Sequence, residues 1–197
     1  YFMRGAHEVA YRAVDHVARA LATADRVEIP QAILARSAAY LITMAEGSAL
    51  HLSRLRRQIS DFDPEVRDRL IAGSMLPASW VIKAQKFRRW FHAEMCKVFE
   101  SVDIILAPST SCCATLIGQK TMNLDGVEMA VRANIGLYTQ PFSFIGLPVA
   151  AVPVWLAGES LPIGVQVIGP PWREDMVLCV ARHLEREGAC ISLLGRV

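Results

Sequence analysis

Apolar residues recur every three to four positions through most of the first hundred residues, which predicts a largely helical amino-terminal half. One helix is predicted over 8–22, and a second from Pro30 to about residue 59 with a weak point at Gly47-Ser48. Asp63-Pro64 is a helix-start signal, because Asp caps free amides and Pro suits the first helical turn. That third helix should end near residue 73.

A fourth helix is predicted over 77–101, and its apolar positions form one stripe that we assign to the core. The stripe consists of Trp80, Ala84, Phe87, Phe91, Met95 and Val98. Two short segments, 26–29 and 103–108, are predicted to be strands. The second one runs into Ser109-Thr110-Ser111, and ligands of open α/β sheets bind beyond such strand ends.

The carboxy-terminal third contains a pattern of strands. Residues 149–155 and 163–168 are apolar runs rich in β-branched side chains, separated by a turn-forming segment at 157–160, which predicts a hairpin or two neighbouring strands. Helical spacing resumes over 173–187, and Gly188 follows where a helix C-cap is expected. Segment 114–127 is predicted to be a turn-rich excursion. Together these elements predict a single α/β domain over 1–197.

Composition adds the expectation of an uncovered apolar surface. A hydrophobic fraction of 53% is high for an independent soluble domain of 197 residues, so we expect apolar surface that packs against another polypeptide. The formal net charge of +2, with both signs mixed, predicts no nucleic-acid partner. The longest apolar stretch, 144–157, is too short and proline-broken to span a membrane. Five cysteines without a regular framework favour a reducing compartment, so a cytoplasmic location is predicted.

Several motifs resemble the carboxy-terminal portion of the amidase signature family. PFSFIGLPVAAVPV, LPIGVQVIGPPWRED and AR-x-LE occur in the family's order over 141–185. The likeness extends back through ARSAAYLITMAEGSALHL, FDPEVRDRLIAGSMLPASWVIKAQKFRRWF and VRANIGLYTQPFSFIG. These segments look most like the family's 1-carboxybiuret-hydrolysing amidase subunits, and less like the glutaminase subunit of the tRNA-dependent amidotransferase. The resemblance implies an α/β/α sandwich with a mixed β-sheet flanked by helices.

The sequence does not contain the catalytic residues that this resemblance implies. Amide hydrolysis needs a nucleophile, a proton acceptor and donors for the oxyanion. The family supplies them with a serine–serine–lysine triad around a glycine- and serine-rich run in its amino-terminal half. Here, Gly-Ser pairs occur only at 47–48 and 73–74, inside helical patterns. We therefore expect a carboxy-terminal fragment that has no catalytic residue of its own, is inactive alone and has the missing amino-terminal catalytic portion as its partner.

Other catalytic chemistries have less support from the residues. The five histidines include no pair four positions apart, so neither a helical metal site nor a cofactor is predicted. A cysteine–histidine hydrolase built from Cys112 or Cys113 has the right residue types but no local signature.

The resemblance assigns this chain the wall of a pocket for a small-molecule amide substrate. The loop after residue 108 and the segment 132–140 would face the missing triad. The predicted substrate-binding residues are Arg69, Ser109, Thr110, Arg132, Tyr138, Thr139 and Gln140, with capping, turn or surface roles as the alternatives.

A carboxylated, urea-like substrate such as 1-carboxybiuret fits the resemblance best. Arg69 matches an arginine that holds the substrate carboxylate in the glutaminase relatives. Gly136 stands where those relatives carry an acidic residue for the substrate amino group. Such a substrate needs a cation, either Arg69 or Arg132, because arginine clamps a carboxylate with two parallel donors.

Two other interpretations stay open. The chain could be a non-catalytic binding or assembly module whose uncovered apolar face forms a homodimer or holds a small accessory subunit. It could also come from a general or glutamine amidase, because one fold accommodates many substrates.

Overall fold

A computed structural model of the chain describes residues 1–192. Its helices are α1 (Glu8–Ala20), α2 (Ala32–Arg57), α3 (Pro64–Ser74), α4 (Ala78–Val98), α5 (Val131–Asn134), α6 (Gln140–Ser143) and α7 (Glu174–Arg186). Its strands are β1 (Ile105–Pro108), β2 (Thr121–Leu124), β3 (Val127–Ala130), β4 (Val149–Val154) and β5 (Ile163–Ile168). None of the helices within 1–192 has both the length and the apolar character needed to cross a membrane.

The central sheet has three strands in the order β1-β5-β4. Gln166 in the middle strand pairs with Ala107 on one side and Ala151 on the other, both in antiparallel register. Strands β2 and β3 form a separate hairpin, whose Asp125-Gly126 turn has positive φ at both residues, as a two-residue type I′ turn requires. The predicted α/β class is confirmed, although every strand pairing within 1–192 is antiparallel rather than mixed.

Helices cover both faces of this sheet. Successive side chains of a strand point in opposite directions, so neighbouring residues of β5 pack in different clusters. Val165 and Val167 of β5 pack with α1 and α7 in one cluster that includes Val17 and Leu184. Ile168, on the opposite face, packs in a second cluster with residues from α2, α4 and α6. The layering predicted from the family resemblance is therefore present in this part of the chain.

The beginning of α3 and the end of α7 follow their sequence signals closely. The Asp63 carboxylate accepts a hydrogen bond of 2.8 Å from the Glu65 amide, which caps α3 as predicted. Gly188 follows α7 with a φ of +70°, the left-handed conformation expected after a helix end. The hairpin predicted over 149–168 is also confirmed.

The predictions for the region around α2 need correction. Residues 26–29 form no strand, because Val27 and Ile29 pack on the second hydrophobic cluster without a sheet partner. Helix α2 begins two residues after Pro30, since Gln31 has a φ of +54°. The predicted weak point does not interrupt α2, because α3 packs against it there, with Leu70 beside Gly47.

Two further predictions are wrong in part. Trp80 belongs to the predicted core stripe, yet it lies in the first turn of α4 and is 53% exposed, while Phe91 and Met95 of the same stripe are fully buried. The segment 114–127 is not only a series of turns. It includes β2 and the turn of the β2–β3 hairpin, and β2 buries Met122 and Leu124 against Cys112.

Candidate functional site

The loop after β1 and the segment 132–140, which we call the wall segment, are joined by one buried side chain. Gln166 is 2% exposed, and its Nε2 donates to the carbonyl of Pro108 at 2.8 Å and to the carbonyl of Tyr138 at 3.1 Å. Ser109 and Thr139 each follow one of these carbonyls. The structure therefore brings together the two segments that the sequence analysis assigned to the pocket.

The β1 loop contains buried hydroxyl groups without partners. The Ser109 amide donates to the carbonyl of Gly164 at 3.0 Å, while the Oγ atoms of Ser109 and Ser111 have no hydrogen-bond partner among residues 1–192. A Cβ at Gly164 would lie 2.9 Å from the Ser109 Oγ, so glycine is what leaves room for this side chain. Thr110 is already used locally, because its Oγ1 donates to the carbonyl of Cys112 at 2.7 Å. Buried hydroxyls of this kind favour a water or ligand group beside them.

The Tyr138 side chain is used inside the protein. Its side chain is fully buried, and its hydroxyl donates to the carbonyl of Arg4. Burial raises the pKa of Tyr138 well above its ordinary value, so the group stays a neutral phenol. Its hydroxyl is occupied in the core and gives no free donor to a substrate.

The neighbouring residues of the wall segment stay at least partly accessible. The Thr139 Oγ1 donates to the carbonyl of Gly136 at 3.2 Å, a turn-stabilising bond that leaves the hydroxyl able to accept. Gln140 begins α6 and uses its carbonyl to accept from the Phe144 amide at 3.2 Å, while its side chain is half-buried. These two residues, unlike Tyr138, keep hydrogen-bonding capacity.

The wall segment is held by side chains from other elements. Arg36 of α2 donates to the carbonyl of Ala133 at 2.7 Å and to the Asn134 Oδ1 at 3.2 Å. The Tyr1 hydroxyl donates to the carbonyl of Leu137 at 2.7 Å, and burial raises the pKa of Tyr1 to about 12. A segment fixed at several carbonyls is preorganised, which reduces the entropy lost when a ligand binds.

The two candidate arginines have different surroundings, and Arg132 is part of an ion-paired group. Its Nη1 lies 3.2 Å from the Glu65 Oε2, and Lys120 binds the other carboxylate oxygen of Glu65. The hydrogen bond and charge of Lys120, followed by those of Arg132, lower the pKa of Glu65. This exposed group connects the hairpin and α5 to α3.

Arg69 lies one helical turn after Glu65 and has a different partner. Its guanidinium carbon is 4.3 Å from the centre of the Tyr40 ring, within cation–π range. Arg69 takes part in no ion pair within 1–192. A cation–π contact of this kind leaves the guanidinium charged, because the ring carries no net charge to offset it.

The cysteines of the β1 loop face apolar and backbone groups. The Cys112 Sγ lies 3.8 Å from the Met122 Sδ, and the Cys113 Sγ lies 3.8 Å from the carbonyl of Leu161. Burial raises the pKa of both thiols, which disfavours the nucleophilic thiolate. Neither of them meets a histidine in the described part of the chain, so the cysteine–histidine alternative gains no support. Residues 1–192 also contain no group of three side chains placed to hold a metal.

Two open depressions lie along α4, away from the candidate residues. They share Gln85 and Arg89, and none of the seven predicted site residues lines either of them. These two depressions are therefore not the predicted substrate site.

The sequence analysis missed Gln166 and Arg36. Gln166 had a signal, because it is the only polar side chain in the apolar run 163–168. Arg36 had none, since an arginine on a predicted helix is by default a surface residue.

The family model described as Amidase matches residues 4–178. The AtzE subunit of the 1-carboxybiuret hydrolase of Pseudomonas sp. (strain ADP) is 39% identical over 189 residues, which cover 95% of this chain and 41% of that protein. A Glutamyl-tRNA(Gln) amidotransferase subunit from Acinetobacter baumannii (strain AYE) is 33% identical over 136 residues, 66% of this chain and 26% of that protein.

Solved structures show the same similarity. A protein from a vestigial complex, described as revealing the origins of an s-triazine catabolic enzyme, matches with a TM-score of 0.93 and 38% identity. The match covers 96% of this chain and 42% of that one. A crystal structure described as an amidase matches with a TM-score of 0.81 and 26% identity, over 90% of this chain and 41% of that one. The chain thus spans about two fifths of the length of AtzE and of these two structures, and about a quarter of the amidotransferase subunit.

Proposed function

Because the chain belongs to the amidase family, we propose that it forms the substrate-holding wall of an amidohydrolase that cleaves a C–N bond of a small carboxylated, urea-like molecule. Our choice of substrate is 1-carboxybiuret, with ammonia as a product. The observation that carries this proposal is Arg69, a cation in contact with the Tyr40 ring that forms no ion pair within 1–192. Such a cation is suited to clamp a substrate carboxylate.

The similarity to AtzE supports this substrate class over an amino-acid amide. That relative is named for hydrolysis of 1-carboxybiuret and matches 95% of the chain, against 66% for the amidotransferase subunit. Gly136 leaves its part of the wall segment without a carboxylate for a substrate ammonium group. Thr139 and Gln140, which follow it, are the groups that we assign to the substrate's amide edges.

The chain's own part in the reaction is to bind and orient the substrate. We propose that the serine–serine–lysine triad is supplied by polypeptide outside 1–197, because the sequence contains no such set. A preorganised wall contributes by holding the scissile carbonyl in place, and misplacement by about 1 Å can cost about 100-fold in rate. The five free thiols agree with a reducing compartment, and we propose the cytoplasm.

The experiment that tests this proposal is an ammonia-release assay of the complete protein that contains this chain. 1-Carboxybiuret should be turned over with a higher kcat/KM than glutamine or a simple amide without a carboxylate. A site built around a carboxylate clamp disfavours a simple amide that lacks the carboxylate, and a wall segment without an acidic residue at Gly136 disfavours the ammonium group of glutamine. Faster turnover of glutamine would contradict the choice of substrate.

A second candidate function, assembly, is favoured by the surface of α4. Trp80, Ile82 and Trp90 are exposed large apolar side chains on this helix. Three exposed side chains of this size on one helix favour a surface that another polypeptide covers, a second copy or a small accessory subunit. Size-exclusion chromatography of the chain at several concentrations tests this candidate: concentration-dependent association supports it. A clean monomer that binds no dye for apolar surfaces counts against it.

A further inference from the structure

Gln166 is a polar side chain at a buried position of the central sheet, where apolar side chains are usual. It lies in the middle strand β5, is 2% exposed and is flanked by Val165 and Val167, both fully buried. Burying an amide costs free energy unless its hydrogen bonds are made. The reason for a glutamine here must therefore lie in the groups that it binds.

The two acceptors of Gln166 belong to segments that are far apart in sequence. One is the carbonyl of Pro108, the last residue of β1, and the other is the carbonyl of Tyr138 in the wall segment. The wall segment has no strand pairing with β5. A single NH₂ group thus ties the end of a sheet strand to a segment outside the sheet.

We infer that Gln166 is a positioning residue that fixes the β1 loop and the wall segment relative to each other, so that Ser109 and Thr139 occupy one substrate surface. Its effect at that surface rests on the proposed function, whereas the coupling of the two segments does not. Gln166 acts through the backbone at Pro108 and Tyr138 and does not touch a substrate. Its loss leaves two carbonyls unpaired at once.

The first test measures the coupling by amide hydrogen exchange of the 197-residue chain. We expect Gln166→Met, which keeps the length of the side chain but removes both donors, to raise exchange about tenfold at the Ser109 amide and at the amides of 142–144, which donate to Thr139 and Gln140, together. The control is Val167→Ala in the same strand, which leaves a cavity in the cluster on the other face of the sheet. This variant should not raise exchange in the two segments together. A rise in one segment only, no rise, or the same paired rise in the control would overturn the inference.

The second test separates positioning from general stability, using the complete protein. We expect Gln166→Met to raise the KM for 1-carboxybiuret about tenfold with a smaller change in kcat, at a temperature where the variant is fully folded. For Gln166→Glu, the KM relative to that of the parent at the same pH should fall as the pH is lowered. The reason is that a neutral carboxyl can donate one hydrogen bond, whereas a carboxylate donates none. A variant with lowered melting temperature but unchanged KM and no acid recovery would contradict a positioning role. If the parent protein hydrolyses no amide, the proposed function fails, and the exchange experiment still decides whether Gln166 couples the segments.

Discussion

The guanidinium of Arg69 lies over the ring of Tyr40, with 4.3 Å between the guanidinium carbon and the ring centre. This contact joins α3 to α2 and holds the arginine without neutralising it. Arg132, the other candidate, shares Glu65 with Lys120. The structure thus separates two arginines that the sequence left as equals.

The first prediction is that the two arginines differ in their effect on substrate binding. In the complete protein, Arg69→Met should raise the KM for 1-carboxybiuret about 10- to 100-fold, the cost of losing a charge-assisted hydrogen bond of roughly 1.5–3 kcal/mol. Arg132→Met is the matched control and should change KM by less than about threefold, because exposed ion pairs contribute little. Equal losses in steady-state kinetics, or a larger loss for Arg132→Met, would contradict the assignment.

The second prediction concerns the pH dependence of folding stability. Lys120 and then Arg132 hold the pKa of Glu65 below its ordinary value of 4.5, so the folded state binds protons less readily than the unfolded state. The stabilisation is present above pH 4.5 and is lost as the pH falls through the lowered pKa of Glu65. Thermal unfolding between about pH 6 and 3 should show a smaller acid loss for Glu65→Gln than for the parent.

Added salt provides a check on this interpretation. The ion-paired group of Glu65, Lys120 and Arg132 is exposed, so salt should weaken its contribution to folding stability in the parent. Salt should have less effect on the stability of Glu65→Gln. Parallel pH profiles for the two proteins would show that Glu65 does not contribute to the acid sensitivity.

Much of the fold follows from the sequence, because local signals and tertiary packing agree there. The Asp63 cap and the 149–168 hairpin were predictable from turn, cap and periodicity rules. The segment 26–29 was not, because its apolar residues pack on a cluster rather than in a sheet. Within the candidate site, the neighbourhood of the β1 loop and the wall segment followed from family resemblance. The buried state of Tyr138 did not, because it depends on the long-range contact with Arg4.

The third prediction tests the packing of α2 against α3. A Cβ at Gly73 would lie 2.2 Å from the carbonyl oxygen of Met44 and 2.9 Å from the Cβ of Ser48, so backbone must move to accept it. Gly73→Ala should lower the free energy of unfolding by about 1–3 kcal/mol or more, although alanine favours a helix.

The control for this variant is Gly47→Ala on α2. Its Cβ would lie 3.1 Å from the flexible end of Leu70, so its effect should stay within about 1 kcal/mol of the parent. Urea unfolding of both variants measures the difference. A Gly73→Ala protein as stable as Gly47→Ala would show that the helices are less tightly packed than described.

The fourth prediction is an order of thiol reactivity. Cys179 is exposed, whereas Cys112 and Cys190 are buried, and burial raises the pKa of both buried thiols. In the folded chain, Cys179 should react first with a thiol reagent, and the two buried residues should react on the timescale of local opening. Mass spectrometry of the labelled peptides gives the order, and early labelling of Cys112 would contradict the buried β1 loop.

The most direct measurement of the central claim is ammonia release by the purified 197-residue chain, compared with the complete protein at equal concentration. The claim is that this chain supplies the wall of a substrate site and that the reacting groups lie elsewhere. We predict no release from 1-carboxybiuret above the enzyme-free rate for the chain, and turnover for the complete protein. Release by the chain alone that persists after repurification would contradict the account.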